Sequence, residues 1–569
     1  MQANDGATRG GRLVAEGLRA AGVETLFALA GGHIMPALDA CVPAGVRVID
    51  TRHEGAAALA AEGWALATGT TGSAMVTAGP GFTNALTGLF DAGVWNVPVV
   101  VVGGRSGLRM AGQGVVGELD QRTIAMPGVK WSATCPEVNR LPRFVAEAFY
   151  RARAGRPGAV YLELPQDVVM GEGIAQQPSL EGFNDPIPRP TAPAAEIERA
   201  VALLRRAERP LVLAGGGAFW SGAGVALQRF SERTRIPVTT TSSARGLLPD
   251  GHPCCLGTLV HGGVALLGAD LVLVLGSAFN ANLGYGRPPL FSSGQTIVQV
   301  DITADGMGGN RRPDLGLVGD VAFVLDDLTA AWEAEGEQPG EAREQWLADT
   351  LEWADASLAT WDGQIERHGG EQPHTGAVAR ELARFAREVT GGACTLVADG
   401  GDALAWALGY FFAERPGRML STTTALGTLG VGMPFALAAR AARPEEPVLG
   451  LIGDGSFGLS AMEVDTMVRH GLPAVIVVSN NHGWGDVRHE HQELLDYAGP
   501  RVAAELASSR YDRLAQALGA HGEHVTRMDE LRPALVRAIE SGLPAVVNVE
   551  TDPTVQAELL KIVADMNLM

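Results

Sequence analysis

Short apolar runs alternate with Ala-rich stretches along the first third of the chain. Residues 47–50, 74–78 and 98–102 carry the β-branched and apolar residues of buried strands, and 55–68 reads as a helix. Short strands separated by helices predict a parallel α/β unit from about residue 11 to 164, within a domain assigned to 1–185. Residues 177–193 hold Pro178, Pro186, Pro188, Pro190 and Pro193, too many for a helix interior or a central strand, so they read as a linker. A second series follows: 210–214 running into Gly215-Gly216-Gly217, then 270–276, then 296–300 ending at Asp301. Strands that run into glycine or acidic turns predict a Rossmann-like middle domain over 194–345. A polar, Trp- and Glu-rich helical stretch from about 331 to 367 leads to a third series, 395–398, 448–452 and 474–478, assigned to a domain at 370–569. The expected fold class is α/β with three parallel-sheet domains. The first and third share a similar alternation, with no short-period repeat.

Composition narrows the function classes. Hydrophobic residues make up 46% of the chain and charged ones 19%, which fits a globular protein and excludes a disordered one. A net charge of −20 with no Lys/Arg run argues against phosphate-backbone binding, so no nucleic-acid partner is expected. No stretch approaches the ~20 uninterrupted apolar residues of a membrane span, and residues 1–12 lack the apolar core of a signal peptide. Cys41, Cys135, Cys254, Cys255 and Cys394 form no CxxC pair, as expected in a reducing compartment, and a cytoplasmic location is expected.

The most specific pattern is Gly453-Asp454-Gly455-Ser456 directly after the apolar run 448–452, followed by a second run and Asn480-Asn481. Glycines at a strand's carboxyl end let backbone N–H groups approach a diphosphate, and Asp and Asn supply the hard oxygen ligands Mg²⁺ prefers. The 24 residues between the last glycine and the first asparagine allow a helical crossover that sets the two strands side by side. Upstream lies Gly427-Thr428-Leu429-Gly430-Val431-Gly432-Met433-Pro434. Near the N-terminus, Arg52-His53-Glu54 precedes the Ala-rich helix, with Ala78-Gly79-Pro80-Gly81 and Asn84 downstream. Taken alone, Glu54 would be a first-turn residue favoured by the helix dipole.

Together these segments resemble the thiamine-diphosphate enzymes, and the resemblance covers nearly the whole chain. It implies that Asp454, Asn481 and the Gly483 carbonyl hold Mg²⁺. It further implies that Gly31, Gly79, Asn84, Gly401, Asp402, Gly455 and Ser456 line the cofactor. The Gly427 carbonyl would accept from the 4′-amino group and Leu429 would wedge the two rings, standing where the family often has Met. Glu54 would face the pyrimidine N1′, whose protonation promotes the tautomer that removes the thiazolium C2 proton. In this family that glutamate and the metal motif meet across a subunit interface, which implies a homodimer or homotetramer.

Within the family, Gln113-Gly114-Val115-Val116-Gly117-Glu118-Leu119-Asp120-Gln121 looks like the active-site loop of the 2-hydroxyacyl-CoA lyase and oxalyl-CoA decarboxylase branch. The decarboxylases carry a Tyr-Glu pair where this chain has Val116-Gly117. The substrate pocket around Val116, Gly117 and Glu118 is then roomier and more apolar, which suits a branched or alkyl 2-hydroxyacyl-CoA such as 2-hydroxyisobutyryl-CoA, cleaved to acetone and formyl-CoA. The ionisable stretch 482–493 offers His482 and Glu493 as proton-transfer residues, unless it is a solvated helix face. The branch also implies ADP in the middle domain at Asp301, Ile302 and Asp320, and a tail, 554–569, that closes over the CoA arm or forms a plain terminal helix. Two alternatives remain. One is an acetolactate-synthase-type carboligase with FAD in the middle domain; the other is a non-catalytic nucleotide-binding regulator, whose mark would be loss of Glu54 or the metal motif.

Overall fold

The computed structural model describes residues 7–174, 186–336, 339–421, 426–494 and 502–558. Three six-stranded parallel sheets organise the chain, and a short antiparallel pair, Ala7–Arg9 with Glu172–Ile174, ties the two ends of the first α/β region together. The residues cluster into two compact units. One comprises Met1–Pro188, Leu426–Arg443 and Ser460–Leu472; the other comprises Arg189–Ala425, Pro444–Leu459 and Pro473–Met569.

In the first unit the strands lie in the spatial order Arg47–Asp50, Thr25–Leu29, Gly72–Val76, Val99–Arg105, Val160–Pro165, Trp131–Thr134. Gly72–Val76 is buried at every position, as expected of a parallel strand covered on both faces. The helix Glu54–Thr68 starts where it does because the His53 ring accepts the Gly55 N–H at 3.0 Å, and it ends at left-handed Gly69. Its small residues admit two neighbours at close range. A Cβ on Gly88 of helix Pro80–Val94 would lie 2.8 Å from the Ala58 Cβ, and one on Gly63 would lie 2.9 Å from the Phe435 Cα of helix Gly432–Ala442. The Arg52 N–H donates to both Glu463 oxygens at 3.1 and 3.2 Å, and Arg469 pairs with Asp50 at 2.7 Å, so helix Glu463–Arg469 is fastened to the turn before Glu54.

The second unit holds two sheets. One runs Cys255–Thr258, Val238–Thr240, Pro210–Ala214, Leu271–Leu275, Thr296–Asp301, Leu315–Val318, the 3-2-1-4-5-6 order of a Rossmann fold with its switch point between Pro210–Ala214 and Leu271–Leu275. The other runs Met419–Ser421, Thr395–Asp399, Val448–Gly453, Val475–Asn480, Ala545–Glu550, His521–Val525. In chain-order terms this is 2-1-3-4-6-5, the same order as the sheet of the first unit. The helical stretch expected at 331–367 holds the end of helix Val321–Ala334 and the whole of helix Glu341–Glu366. The second helix joins both cores: Trp346 and Leu347 are buried among middle-sheet residues, while Trp361 and Ile365 are buried with the last sheet. Arg245, paired with Asp250 at 2.9 Å, also reaches the Leu408 carbonyl, and the His261 ring meets the Gly409 carbonyl at 2.8 Å.

Because Gly63 leaves no room before the Phe435 backbone, Gly63→Val is expected to force the two helices apart. The cost should be about 1–3 kcal/mol in unfolding free energy, measured by urea denaturation followed by circular dichroism.

Candidate functional site

The Asp454 carboxylate sits at the carboxyl end of strand Val448–Gly453, at the start of helix Asp454–Ser460, and is 2% exposed. The Gly483 N–H donates to its Oδ2 at 3.0 Å. Burial pushes its carboxyl up to about 6, against the downward pull of the Gly455 and Gly483 N–H groups and the Arg488 charge. The two asparagines after strand Val475–Asn480 differ in what they do. Asn480 is spent on the fold, donating to Asn548 Oδ1 at 3.1 Å and the Ser509 carbonyl at 3.0 Å while its Oδ1 accepts the His482 N–H. Asn481 is buried as well, yet its Oδ1 accepts no hydrogen bond. A buried carboxylate with a raised pKa beside an orphaned amide oxygen is a hard-oxygen donor set short of a cation, and it fits Mg²⁺.

Arg488, 1% exposed, holds this turn from behind. Its guanidinium donates to the carbonyls of Asn481 (3.3 Å), His482 (3.1 Å) and Pro553 (3.2 Å) and pairs with Glu505 at 3.0 Å. A side chain at Gly483 would collide with this guanidinium, and one on Gly455 would meet the Trp484 ring at 2.7 Å. Gly401 and Asp402 stand at the start of helix Asp402–Tyr410. Both Asp402 oxygens are buried without a hydrogen bond, and the His489 Nδ1 stands 3.5 Å from Oδ2. A carboxylate offers a phosphate oxygen no donor, whereas the backbone N–H groups at this helix start do. Ser456 is buried next to Gly400.

His482, expected to transfer protons, adopts a φ of 61° and commits its Nε2 to Glu550 at 2.9 Å, a carboxylate it shares with His524. That contact ties it to strand Ala545–Glu550. Glu493 lies in helix Gly485–Leu494, but its side chain is outside the described residues, as is the tail beyond residue 558.

In the first unit, Glu54 is buried as the first residue of its helix, and Asn84 Nδ2 donates to its Oε2 at 3.0 Å. Gly31 lies against the Thr77 side chain. Gly79, at the start of helix Pro80–Val94, donates its N–H to Gln121 Oε1 at 2.8 Å. Leu429 is half-buried, and Gly427 is exposed in the left-handed region. The loop 112–118 corrects one expectation. Glu118 turns its carboxylate back on its own loop, accepting the N–H groups of Gly112, Gly114 (2.8 Å) and Val115 (3.3 Å), bonds that hold its carboxyl below the usual range. It shapes the loop and does not offer a charge to a substrate. Gly117, at a φ of +78°, lies flat on Ala78, with its Cα only 2.9 Å from where a Gly79 Cβ would be; Val116 points outward, 89% exposed.

Two residues of this edge escaped the sequence reading. Gln121 is fully buried and ties the loop to the sheet, donating to the Gly104 carbonyl at 2.8 Å and to Tyr161 at 2.7 Å. His33, after strand Thr25–Leu29, bonds Thr77 Oγ1 through Nδ1 at 3.1 Å and borders Gly117. The signal for it was a lone histidine in a Gly-Gly-His turn at a strand's carboxyl end, where chemistry gathers in parallel sheets.

The middle domain gives Asp301 an Asx turn onto the Thr303 N–H at 3.1 Å, with Ile302 next in the turn. Asp320 is spent differently from the adenosine contact expected of it: Arg189 binds both its oxygens, Ser221 donates at 2.6 Å, and it caps helix Val321–Ala334 through the Ala322 N–H. Among the described residues no helix is long and apolar enough to cross a membrane. All five cysteines are buried, which raises their thiols, Cys41 to about 12, so they are not nucleophiles.

Asn480→Ala and Asn481→Ala should therefore separate stability from binding. The first is expected to cost about 1–3 kcal/mol of stability, the second little stability but most of the Mg²⁺-dependent cofactor affinity, read by denaturation and equilibrium dialysis. Asp454 gives a pH test. Its folded pKa lies above the ordinary carboxylate value, so without metal its ionisation costs stability as pH rises from about 4 to above 6. Asp454→Asn should stabilise the metal-free protein at pH 8 by about 1–3 kcal/mol and abolish the further stabilisation by Mg²⁺ with cofactor, both read from thermal unfolding.

The chain matches three domain descriptions in order: thiamine pyrophosphate enzyme, N-terminal TPP binding domain, over residues 8–124; central domain, over 197–328; and C-terminal TPP binding domain, over 399–549. It is 36% identical over 547 residues, 96% of each chain, to a probable acetolactate synthase of Mycobacterium bovis. It is 31% identical over 565 residues, again 96% of each, to a 2-hydroxyacyl-CoA lyase of Oryza sativa. To 2-hydroxyacyl-CoA lyase 2 of Homo sapiens it is 33% identical over 588 residues, covering 95% of this chain and 89% of that one. The chain belongs to the thiamine pyrophosphate (thiamine diphosphate) enzyme family.

Proposed function

We propose that the chain is a carbon–carbon lyase that cleaves a 2-hydroxyacyl-CoA, such as 2-hydroxyisobutyryl-CoA, reversibly into formyl-CoA and a ketone or aldehyde. The observation that carries this is the loop 112–118. With Glu118 folded inward, Gly117 bare and Val116 outward, the loop presents no carboxylate or phenol for a second acidic group on the substrate. His33 borders it, a proton acceptor of the kind a substrate hydroxyl needs in order to collapse to a carbonyl.

When bound, thiamine diphosphate supplies a nucleophilic carbon and an electron sink next to the carbonyl under attack. Asp454, Asn481 and the Gly483 carbonyl hold Mg²⁺ for its diphosphate. Glu54, fixed at Oε2 by Asn84, holds the proton of the pyrimidine nitrogen. His33 Nε2 takes the proton of the substrate's 2-hydroxyl as the bond to the thioester carbon breaks, and returns it in condensation; Thr77 holds Nδ1 in place. Glu493 remains a second proton carrier for the same step. The assembly is a cytoplasmic homodimer or homotetramer, Glu54 of one copy serving the cofactor held by another. The middle domain takes ADP at the Asp301-Ile302 turn without help from Asp320.

A second reading, an acetolactate-synthase-type carboligase, draws on the 36% identity with the Mycobacterium bovis protein. Incubation of the purified protein with 2-hydroxyisobutyryl-CoA should release acetone and formyl-CoA, and incubation with pyruvate should give no acetolactate; the reverse result selects the second reading. A flavin absorption band would likewise replace ADP by FAD. Glu54→Gln is expected to lower turnover at least ~100-fold, and His33→Ala ~100-fold or more with cofactor affinity retained. Full cleavage by His33→Ala would remove that residue from the reaction.

A further inference from the structure

Residues 111–114 and Val116 are exposed, whereas Gln121, which opens helix Gln121–Ala125 just after the loop, is completely buried. Its carboxamide is spent on the sheet behind the loop. Oε1 accepts the Gly79 N–H at 2.8 Å, and Nε2 donates to the Gly104 carbonyl at 2.8 Å and to the Tyr161 hydroxyl at 2.7 Å. Those partners belong to three segments: the turn before helix Pro80–Val94, the end of strand Val99–Arg105, and strand Val160–Pro165. Only an amide serves them all. A hydrocarbon would leave the three groups unpaired, and a carboxylate would bring no donor for Gly104 or Tyr161. A carboxylate would also stand beside the fully buried Glu163, whose Oε1 is 3.4 Å from Nε2 and whose Oε2 already holds Arg105 at 2.7 Å and Thr134 at 2.6 Å.

The segments that Gln121 holds are the ones on which the loop rests. Gly79 has φ 64° and ψ −115°, a backbone that L side chains rarely adopt, and a Cβ there would lie 2.9 Å from the Gly117 Cα. Gly104 is confined in the same way, since a Cβ on it would lie 2.7 Å from the His33 Cβ and 3.3 Å from the Ala78 nitrogen. One amide thus clamps the Ala78-Gly79 turn to the end of strand Val99–Arg105, and Gly117 lies on the clamped turn. With no side chain between them, loop and turn have no closer approach, so releasing the clamp can only widen the gap. We infer that Gln121 is a positioning residue that sets acyl-chain specificity, holding loop 112–118 against the Ala78-Gly79 turn at the spacing suited to a short 2-hydroxyacyl group. It touches no substrate. This role rests on the reading of loop 112–118 as a wall of the substrate pocket proposed above.

The full-length protein loaded with Mg²⁺ and thiamine diphosphate provides the test, with 2-hydroxyisobutyryl-CoA and 2-hydroxyoctanoyl-CoA as paired substrates. Gln121→Met should lower kcat/KM for the short substrate ~10-fold and spare or raise it for the long one, narrowing the ratio by about that factor. Gln121→Glu, which keeps the acceptor for Gly79 and loses both donors, should shift the ratio in the same direction and serves where Gln121→Met does not fold. Cofactor affinity by equilibrium dialysis should stay within ~2-fold of wild type. Hydrogen–deuterium exchange read by mass spectrometry should quicken in peptides covering 76–82 and 112–120. Equal loss on both substrates, as general destabilisation would give, overturns the inference, and so does unchanged exchange in those peptides. A wild-type protein that cleaves neither thioester overturns the lyase reading instead, and the exchange rates still decide whether Gln121 holds the loop.

Discussion

A carboxylate placed at the carboxyl end of a strand that is covered on both faces is costly unless a positive charge comes to it. Asp454 is in that position, and its raised pKa measures the cost. The surrounding turn is built as a donor set that fits a cation. Asn481 keeps an oxygen that accepts no hydrogen bond, a side chain at Gly483 would meet the Arg488 guanidinium, and the buried Arg488 holds the carbonyls of the turn. Function here is purchased with stability, since a buried Arg and a buried Asp are both groups that water would otherwise hold.

The first sheet answers the same constraint with different chemistry. It shares the 2-1-3-4-6-5 strand order of the last sheet, and in both the functional groups follow the strands around the switch in order: His33, Glu54 and Gly79 after strands one, two and three of the first, Asp402, Asp454 and Asn481 after strands one, three and four of the last. The last sheet gathers carboxylate and amide oxygens. The first gathers a carboxylate, an imidazole and a backbone N–H. Shared order with divergent edges is what a duplicated α/β unit would leave, once each copy had specialised its turns.

What could be read from the sequence is what depends on neighbours in the chain. The strands Arg47–Asp50 and Pro210–Ala214 appear at their expected bounds, and the turn around Asp454 is recognisable because strand, glycines and acid are contiguous. The direction of a side chain is not contiguous information. Glu118 folds inward because loop N–H groups converge on it, and His482 faces Glu550 because a φ of 61° turns it away. Orientation comes from contacts distant in the chain: the bond that links Asp91 to Thr428 spans 337 positions. The helix Glu341–Glu366 is legible as a polar, Trp-rich helical stretch, but the pattern conceals that its two ends belong to different cores.

The distinction between lyase and carboligase belongs to that same class of information. Relatives of both kinds cover nearly the whole chain at similar identity, so neither fold nor cofactor motif separates them. The loop on which the proposed distinction rests offers backbone in place of side chain at Gly117. Gly117 occupies a left-handed conformation and lies flat on Ala78, so a side chain introduced there would bring backbone strain and tight contacts with the Ala78 Cβ at 3.1 Å and the His33 ring at 3.2 Å. A polar recognition group could not be restored by one substitution without moving the loop, and Glu118, which holds that loop by three of its own N–H groups, resists the movement. The shape of this edge is therefore built into backbone geometry, with His33 beside it.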